Sequence, residues 1–76
     1  MDVNLNLMFL GWRSGKNEDG SNYYQGQFLD TYSNQPCRLY FKSDNLLKTF
    51  KVRSDVTIKG QLYVNSKGLW AIKVVE

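Results

Sequence analysis

The sequence predicts an all-β domain, a single small and strongly bent barrel of five strands. Three observations lead there. Apolar side chains recur at every second residue along most of the 76 residues, the pattern of strands with one face in a core and the other in water. Clusters of Gly, Asn, Asp and Ser divide these stretches at the spacing of antiparallel hairpins. Single glycines, Gly11 and Gly60, interrupt otherwise regular strands, and a missing Cβ there lets a strand bulge or bend.

The first strand sets Val3, Leu5, Leu7 and Phe9 against Asn4, Asn6 and Met8 and runs on past Gly11 towards Ser14. Trp12 is out of phase with that apolar set. A bulge at Gly11 would turn it into the core; without one it stands outward beside Arg13, free to stack. Residues 14–22 are turn chemistry throughout, with Asp19-Gly20 towards their end, a long polar hairpin loop. The second strand, Tyr23 to Tyr32, carries Tyr24, Gly26 and Phe28 on one face and Tyr23, Gln25 and Gln27 on the other.

After the turn Ser33-Asn34-Gln35-Pro36 comes a third strand with Cys37, Leu39 and Phe41 inward and Arg38, Tyr40 and Lys42 outward. Ser43 to Phe50 has the only helical character. Ser43 or Asp44 could cap one short turn near 44–50 that carries Leu46, Leu47 and Phe50. The fourth strand, Asp55 to Tyr63, alternates Val56, Ile58, Leu62 and Val64 with Thr57, Lys59, Gln61 and Tyr63. Asn65-Ser66-Lys67-Gly68 closes a hairpin onto Leu69 to Val75, where Trp70 shares a face with Ile72 and Val74, as a core residue or a contact between subunits would. Strand, hairpin, strand, irregular piece and final hairpin fit one barrel of the oligonucleotide-binding (OB) type over residues 1–76, with an SH3-like barrel as the alternative.

Composition narrows the class. With 42% hydrophobic and 22% charged residues, the chain has enough apolar surface to fold and too little charge for a disordered tail. A lone cysteine, Cys37, forms no internal disulfide, which fits a reducing compartment, and its inward position reads as core. The acidic start and the polar breaks at Asn4 and Asn6 do not read as a signal peptide, so a soluble cytoplasmic protein is expected.

Catalysis has little to work with. There is no histidine, hence no Ser/His or Cys/His arrangement. Glu18 and Asp19 share a loop, a poor place to hold an acid and a base in register. No cluster suits a metal, Asn17-Glu18-Asp19-Gly20 is too incomplete for a calcium loop, and no cofactor or small-molecule substrate is implied.

The charge points to a polyanion. The net charge is +3, but residues 1–34 hold two basic and four acidic side chains, whereas residues 35–76 hold eight basic and three acidic. Arg38-x-Tyr40-x-Lys42 puts an aromatic ring between two cations on one strand face, which suits a phosphate-lined single strand whose bases need a stacking surface. Tyr63 and Lys59 share the outward face of the fourth strand and would extend that ridge if the strands were neighbours. Arg13 and Lys16 enter the first loop, and loop tips of such barrels commonly close over ligand. Lys48, Lys51 and Arg53 would continue a phosphate track or form a solvated face.

Arg13-Ser14-Gly15, Lys16…Gly20…Tyr23-Tyr24, Gln27-Phe28-Leu29-Asp30, Leu62-Tyr63-Val64 and Gly68 to Val75 together resemble the small single-stranded-DNA-binding proteins of filamentous phages. The segment Ser43–Phe50 departs from that pattern. The resemblance implies a dimeric barrel that binds single-stranded DNA during replication of phage or mobile-element DNA. It also implies contacts from Arg13, Lys16 and Tyr23, with Tyr40 and Tyr63 following. RNA remains an alternative ligand. A competing function is a protein-interaction module in which Trp12, Tyr23, Tyr40 and Tyr63 line a groove for an acidic or extended peptide.

Overall fold

A computed structural model describes residues 1–76. Its strands are β1 (Asp2–Lys16), β2 (Asn22–Asp30), β3 (Gln35–Phe41), β4 (Asp55–Val64) and β5 (Trp70–Val74). All pairings are antiparallel, and the sheet order is β3-β2-β1-β4-β5. A meander of SH3 type would pair the second, third and fourth strands in succession. Here β1 lies between β2 and β4, the order of an OB-type barrel opened between β3 and β5. Those two edges curl towards each other without a ladder, so the result is a half-barrel. Just beyond the two strand ends, the Lys42 backbone N–H donates to Glu76 Oε2 across the gap at 2.6 Å.

Phe9, Phe28, Leu47 and Ile58 are fully enclosed, and Leu7, Leu39, Phe41 and Val74 complete the core. Phe9 meets Phe28 with ring centroids 5.5 Å apart and meets Phe50 edge-on at 5.2 Å. Each such buried side chain contributes roughly 1.5–3 kcal/mol, which a chain this short needs. The β3–β4 connection seals one end of the barrel. Its single helical turn, a 3-10 helix over Leu47–Thr49, drops Leu47 onto the bare backbone of Gly26, where a Cβ would lie 2.9 Å from Leu47 Cδ2.

A bulge organises β1. Its register on β2 passes from Phe9↔Phe28 to Gly11↔Gln27, leaving Leu10 unpaired. Gly11 has φ 151°, which L side chains rarely adopt, and open space where a Cβ would be. Phe9 turns its own backbone to Arg53 and Ser54 at this point, where the ladder to β4 has just ended at Met8↔Asp55. The extra residue inverts the phase: Leu7 and Phe9 face inward before it and Trp12 after it. Trp12 is half-buried against the core, which settles the choice that the sequence left open.

The first hairpin loop is shorter than expected. β1 and β2 continue to Lys16 and from Asn22, and residues 17–21 are drawn together by Asn17 Nδ2 to Ser21 Oγ and by Ser21 to Asp19 Oδ1. Arg13 lies within the ladder, as a strand running to Ser14 requires, and Lys16 closes the ladder where a loop residue was expected.

Candidate nucleic-acid interface

The inverted phase of β1 puts Arg13 on the same outer face as Tyr23, Gln25 and Gln27 of β2 and Arg38 and Tyr40 of β3. Two rows cross all three strands: Gly11↔Gln27↔Arg38, and Arg13↔Gln25↔Tyr40. Gly15 pairs with Tyr23 beside them, and Lys42 follows β3 directly. These positions carry no Asp or Glu. The Glu76 carboxylate accepts from the Lys42 backbone N–H rather than from its side chain. The chain's one ion pair, Lys48 with Asp44 at 3.1 Å, lies elsewhere, so Arg13, Arg38 and Lys42 are not engaged in ion pairs.

The central row is hydrogen-bonded from end to end. Arg13 Nε donates to Gln25 Oε1 at 3.0 Å, and Gln25 Nε2 donates to Tyr40 Oη at 2.9 Å. Gln25 is only 2% exposed although it faces outward, because the side chains on either side cover it. Its amide is satisfied there at little desolvation cost. Tyr40 is 60% exposed and meets Tyr23 edge-on, with centroids 6.3 Å apart. The Tyr23 ring lies against Gly15, where a Cβ would stand 2.5 Å from Tyr23 Cε1. The glycine makes a shelf on which the ring rests.

Other sequence-predicted residues lie apart from this face. Lys16 pairs with Asn22 at the end of β1, on the opposite strand face from Arg13, at the loop mouth. Lys59 and Tyr63 are exposed on β4, which β1 and β2 separate from β3, so they form a second patch and do not extend the Arg38–Tyr40–Lys42 ridge. Lys48, Lys51 and Arg53 belong to the β3–β4 connection at the sealed end, and Arg53 has φ 67° with its N–H bonded to Phe9 O. Sequence reasoning placed Gln25 outward but gave it no role. Its importance comes from the register of three strands, which side-chain alternation alone does not supply.

On the open side, β3 and β5 leave a cleft of about 580 Å³ lined mainly by Leu5, Leu7, Cys37, Leu39, Trp70 and Ile72. Cys37 is half-buried rather than enclosed, and burial, with the Asp30 charge behind it, pushes its thiol pKa up. Val74 continues the core, but Ile72 is at its margin and Trp70 is 68% exposed. The inward face of the β4–β5 hairpin thus runs out beyond the barrel, uncovered.

No group of three or more His, Cys, Asp or Glu side chains is placed to hold a metal ion, and no helix is long and apolar enough to cross a membrane. Comparison with protein-family models, with curated proteins and with solved structures finds no match.

Proposed function

We propose that this chain binds single-stranded nucleic acid, with DNA the expected ligand, on the outer face of β1–β3. The observation that carries the reading is the cross-strand face itself: Arg13, Arg38 and Lys42 free of carboxylate partners, around Tyr23 and Tyr40, which touch edge-on. Cations track the phosphates and the rings take bases, a combination that tolerates any sequence. In OB-type barrels the second and third strands present the oligonucleotide surface, and this face lies on them. Lys16, at the loop mouth on the opposite strand face from Arg13, meets only a strand that passes around the end of the hairpin. Lys59 and Tyr63 on β4 serve only a strand that wraps around the barrel.

The uncovered apolar margin adds the oligomeric state. Trp70, which lines the β3–β5 cleft, is exposed together with its ladder partner Val64 and its neighbour Leu69, an apolar cluster of the kind that marks an interaction surface. A second copy of this chain covers it, since two open half-barrels meeting at that side bury like surface against like. Trp70→Lys should convert the dimer to a monomer in sedimentation; a native chain that is already monomeric at high concentration would remove this part. A cytoplasmic role on phage or mobile-element DNA during replication goes with the reading through the resemblance above.

Alanine substitutions test the interface. Tyr40→Ala should weaken single-strand binding by about 1–3 kcal/mol at any salt concentration. Arg38→Ala should reduce the steepness of the salt dependence by about one phosphate contact. If neither changes affinity, this face is not the binding surface. A peptide-binding module would leave both insensitive to oligonucleotide.

A further inference from the structure

Gln25 is the one outward-facing polar side chain that is fully covered, 2% exposed, and both ends of its amide are spoken for. The chemistry of its neighbours fixes which way the amide points. An arginine Nε carries a hydrogen and no lone pair, so it only donates. The glutamine atom facing Arg13 must therefore be Oε1. The other end is then Nε2, which also only donates, so Tyr40 Oη must accept from it. A tyrosine hydroxyl whose lone pair is engaged still carries its own proton, and at Tyr40, on the exposed face, that proton is directed outward. Arg13 likewise keeps both terminal nitrogens, each with two hydrogens, after Nε is engaged.

The row Arg13–Gln25–Tyr40 thus offers solvent the terminal N–H groups of Arg13 and the O–H of Tyr40 as donors. We infer that Gln25 is a positioning residue that locks the Tyr40 hydroxyl as a donor, so that Arg13 and Tyr40 together grip a phosphodiester of the bound strand. This rests on the nucleic-acid reading above and deepens it. A phosphodiester fits better than a base carbonyl, because it offers two acceptor oxygens and a negative charge to a cation and a neutral donor at the two ends of one hydrogen-bonded row. Tyr23 and the faces of the rings remain available for bases.

Gln25→Glu tests the lock with almost no change of shape. A carboxylate at this position accepts from Arg13 as before but cannot donate, so the Tyr40 hydroxyl must turn its proton inward and show the ligand only lone pairs. Added negative charge lowers affinity by itself, so the informative quantity is a double-mutant cycle with Tyr40→Phe, read by anisotropy with labelled oligo(dT) and oligo(dA). In the unaltered chain, Tyr40→Phe should weaken binding about tenfold. In the Gln25→Glu background it should cost nothing or improve binding. The penalty should be equal on both oligonucleotides, since adenine has no carbonyl oxygen and the phosphates are the same.

An equal Tyr40→Phe penalty in both backgrounds would overturn the lock. A penalty seen with oligo(dT) alone would overturn the phosphodiester assignment in favour of a base carbonyl. No binding by the unaltered chain would instead remove the nucleic-acid reading and this inference with it. Should Gln25→Glu fail to fold, Gln25→Met deletes both hydrogen bonds at similar volume. The Tyr40→Phe penalty must then shrink, and an unchanged penalty would again overturn the lock.

Discussion

Replacing Gly15 with alanine should separate binding from stability. A Cβ at Gly15 would lie 2.5 Å from Tyr23 Cε1, 2.6 Å from Oη and 2.7 Å from Cζ. Non-bonded carbon atoms rest at about 3.5–4.0 Å, so the far end of the ring has to withdraw by roughly 1 Å. That end is free to move, because Tyr23 is only half-buried, and little packing is lost. Gly15 is not among the positive-φ glycines, so alanine fits the strand backbone and restricts the unfolded chain, a gain of about 0.4–1 kcal/mol.

The ligand meets a different surface. Displacing Tyr23 spoils its edge contact with Tyr40 and tilts one stacking ring, out of a stack worth about 1–3 kcal/mol. A loss of ~1 kcal/mol is expected, about fivefold in affinity, while the melting temperature holds or rises by a few degrees, about 4–8 °C per kcal/mol in a domain of this size. Anisotropy titration with oligo(dT) and thermal melting read the two quantities. Unchanged affinity with a raised melting temperature would refute the claim that Tyr23 on Gly15 is part of the binding surface.

Gly26→Ala should do the reverse. A Cβ there meets Phe28 Cε2 at 2.5 Å and Leu47 Cδ2 at 2.9 Å, both fully enclosed side chains with nowhere to go. Overpacking of about 1–3 kcal/mol should lower the melting temperature by roughly 5–15 °C and leave affinity unchanged below the transition. A third prediction concerns acid. The Ser33 hydroxyl and the Tyr32 N–H bond the Asp30 carboxylate, and the Ser21 hydroxyl and N–H bond that of Asp19, so both titrate below the ordinary Asp value. The stabilisation they give is present above the unfolded Asp value and is lost as pH falls through the lower folded ones. Carboxyl NMR titration should show this, with Ser33→Ala raising Asp30 and leaving Asp19 unmoved.

Periodicity alone carried much of the fold. The faces of β2, β3 and β4 follow from alternation, because a chain with one apolar side has one way to bury it. The bulge was legible only as an alternative: Gly11 permits it, but the bonds of the Phe9 backbone to Ser54 and Arg53, just ahead of β4, make it. The site was half legible for a related reason. Arg38 and Tyr40 in β3 and Lys42 just after it were visible together, whereas Gln25 acquires its partners only when β1 and β3 align on either side of β2. Lys59 and Tyr63 failed to join them because sheet order is set by which edges meet, not by chain order. Trp70 followed the alternation of its strand faithfully, yet β5 extends past the barrel's own core and leaves the ring outside.

Binding of single strands by the β1–β3 face through phosphate contacts and stacking makes a quantitative demand on salt dependence. Labelled oligo(dT) titrated at about 50 and 200 mM salt, with a matched duplex as competitor, tests it most directly. With Arg13, Arg38 and Lys42 engaging about three phosphates, log affinity should fall with log salt at a slope near −2, roughly a 20-fold loss across that range, and the duplex should compete poorly. Absence of binding at the lower salt, or salt-insensitive binding that the duplex displaces equally well, would show that this face is not a single-strand surface.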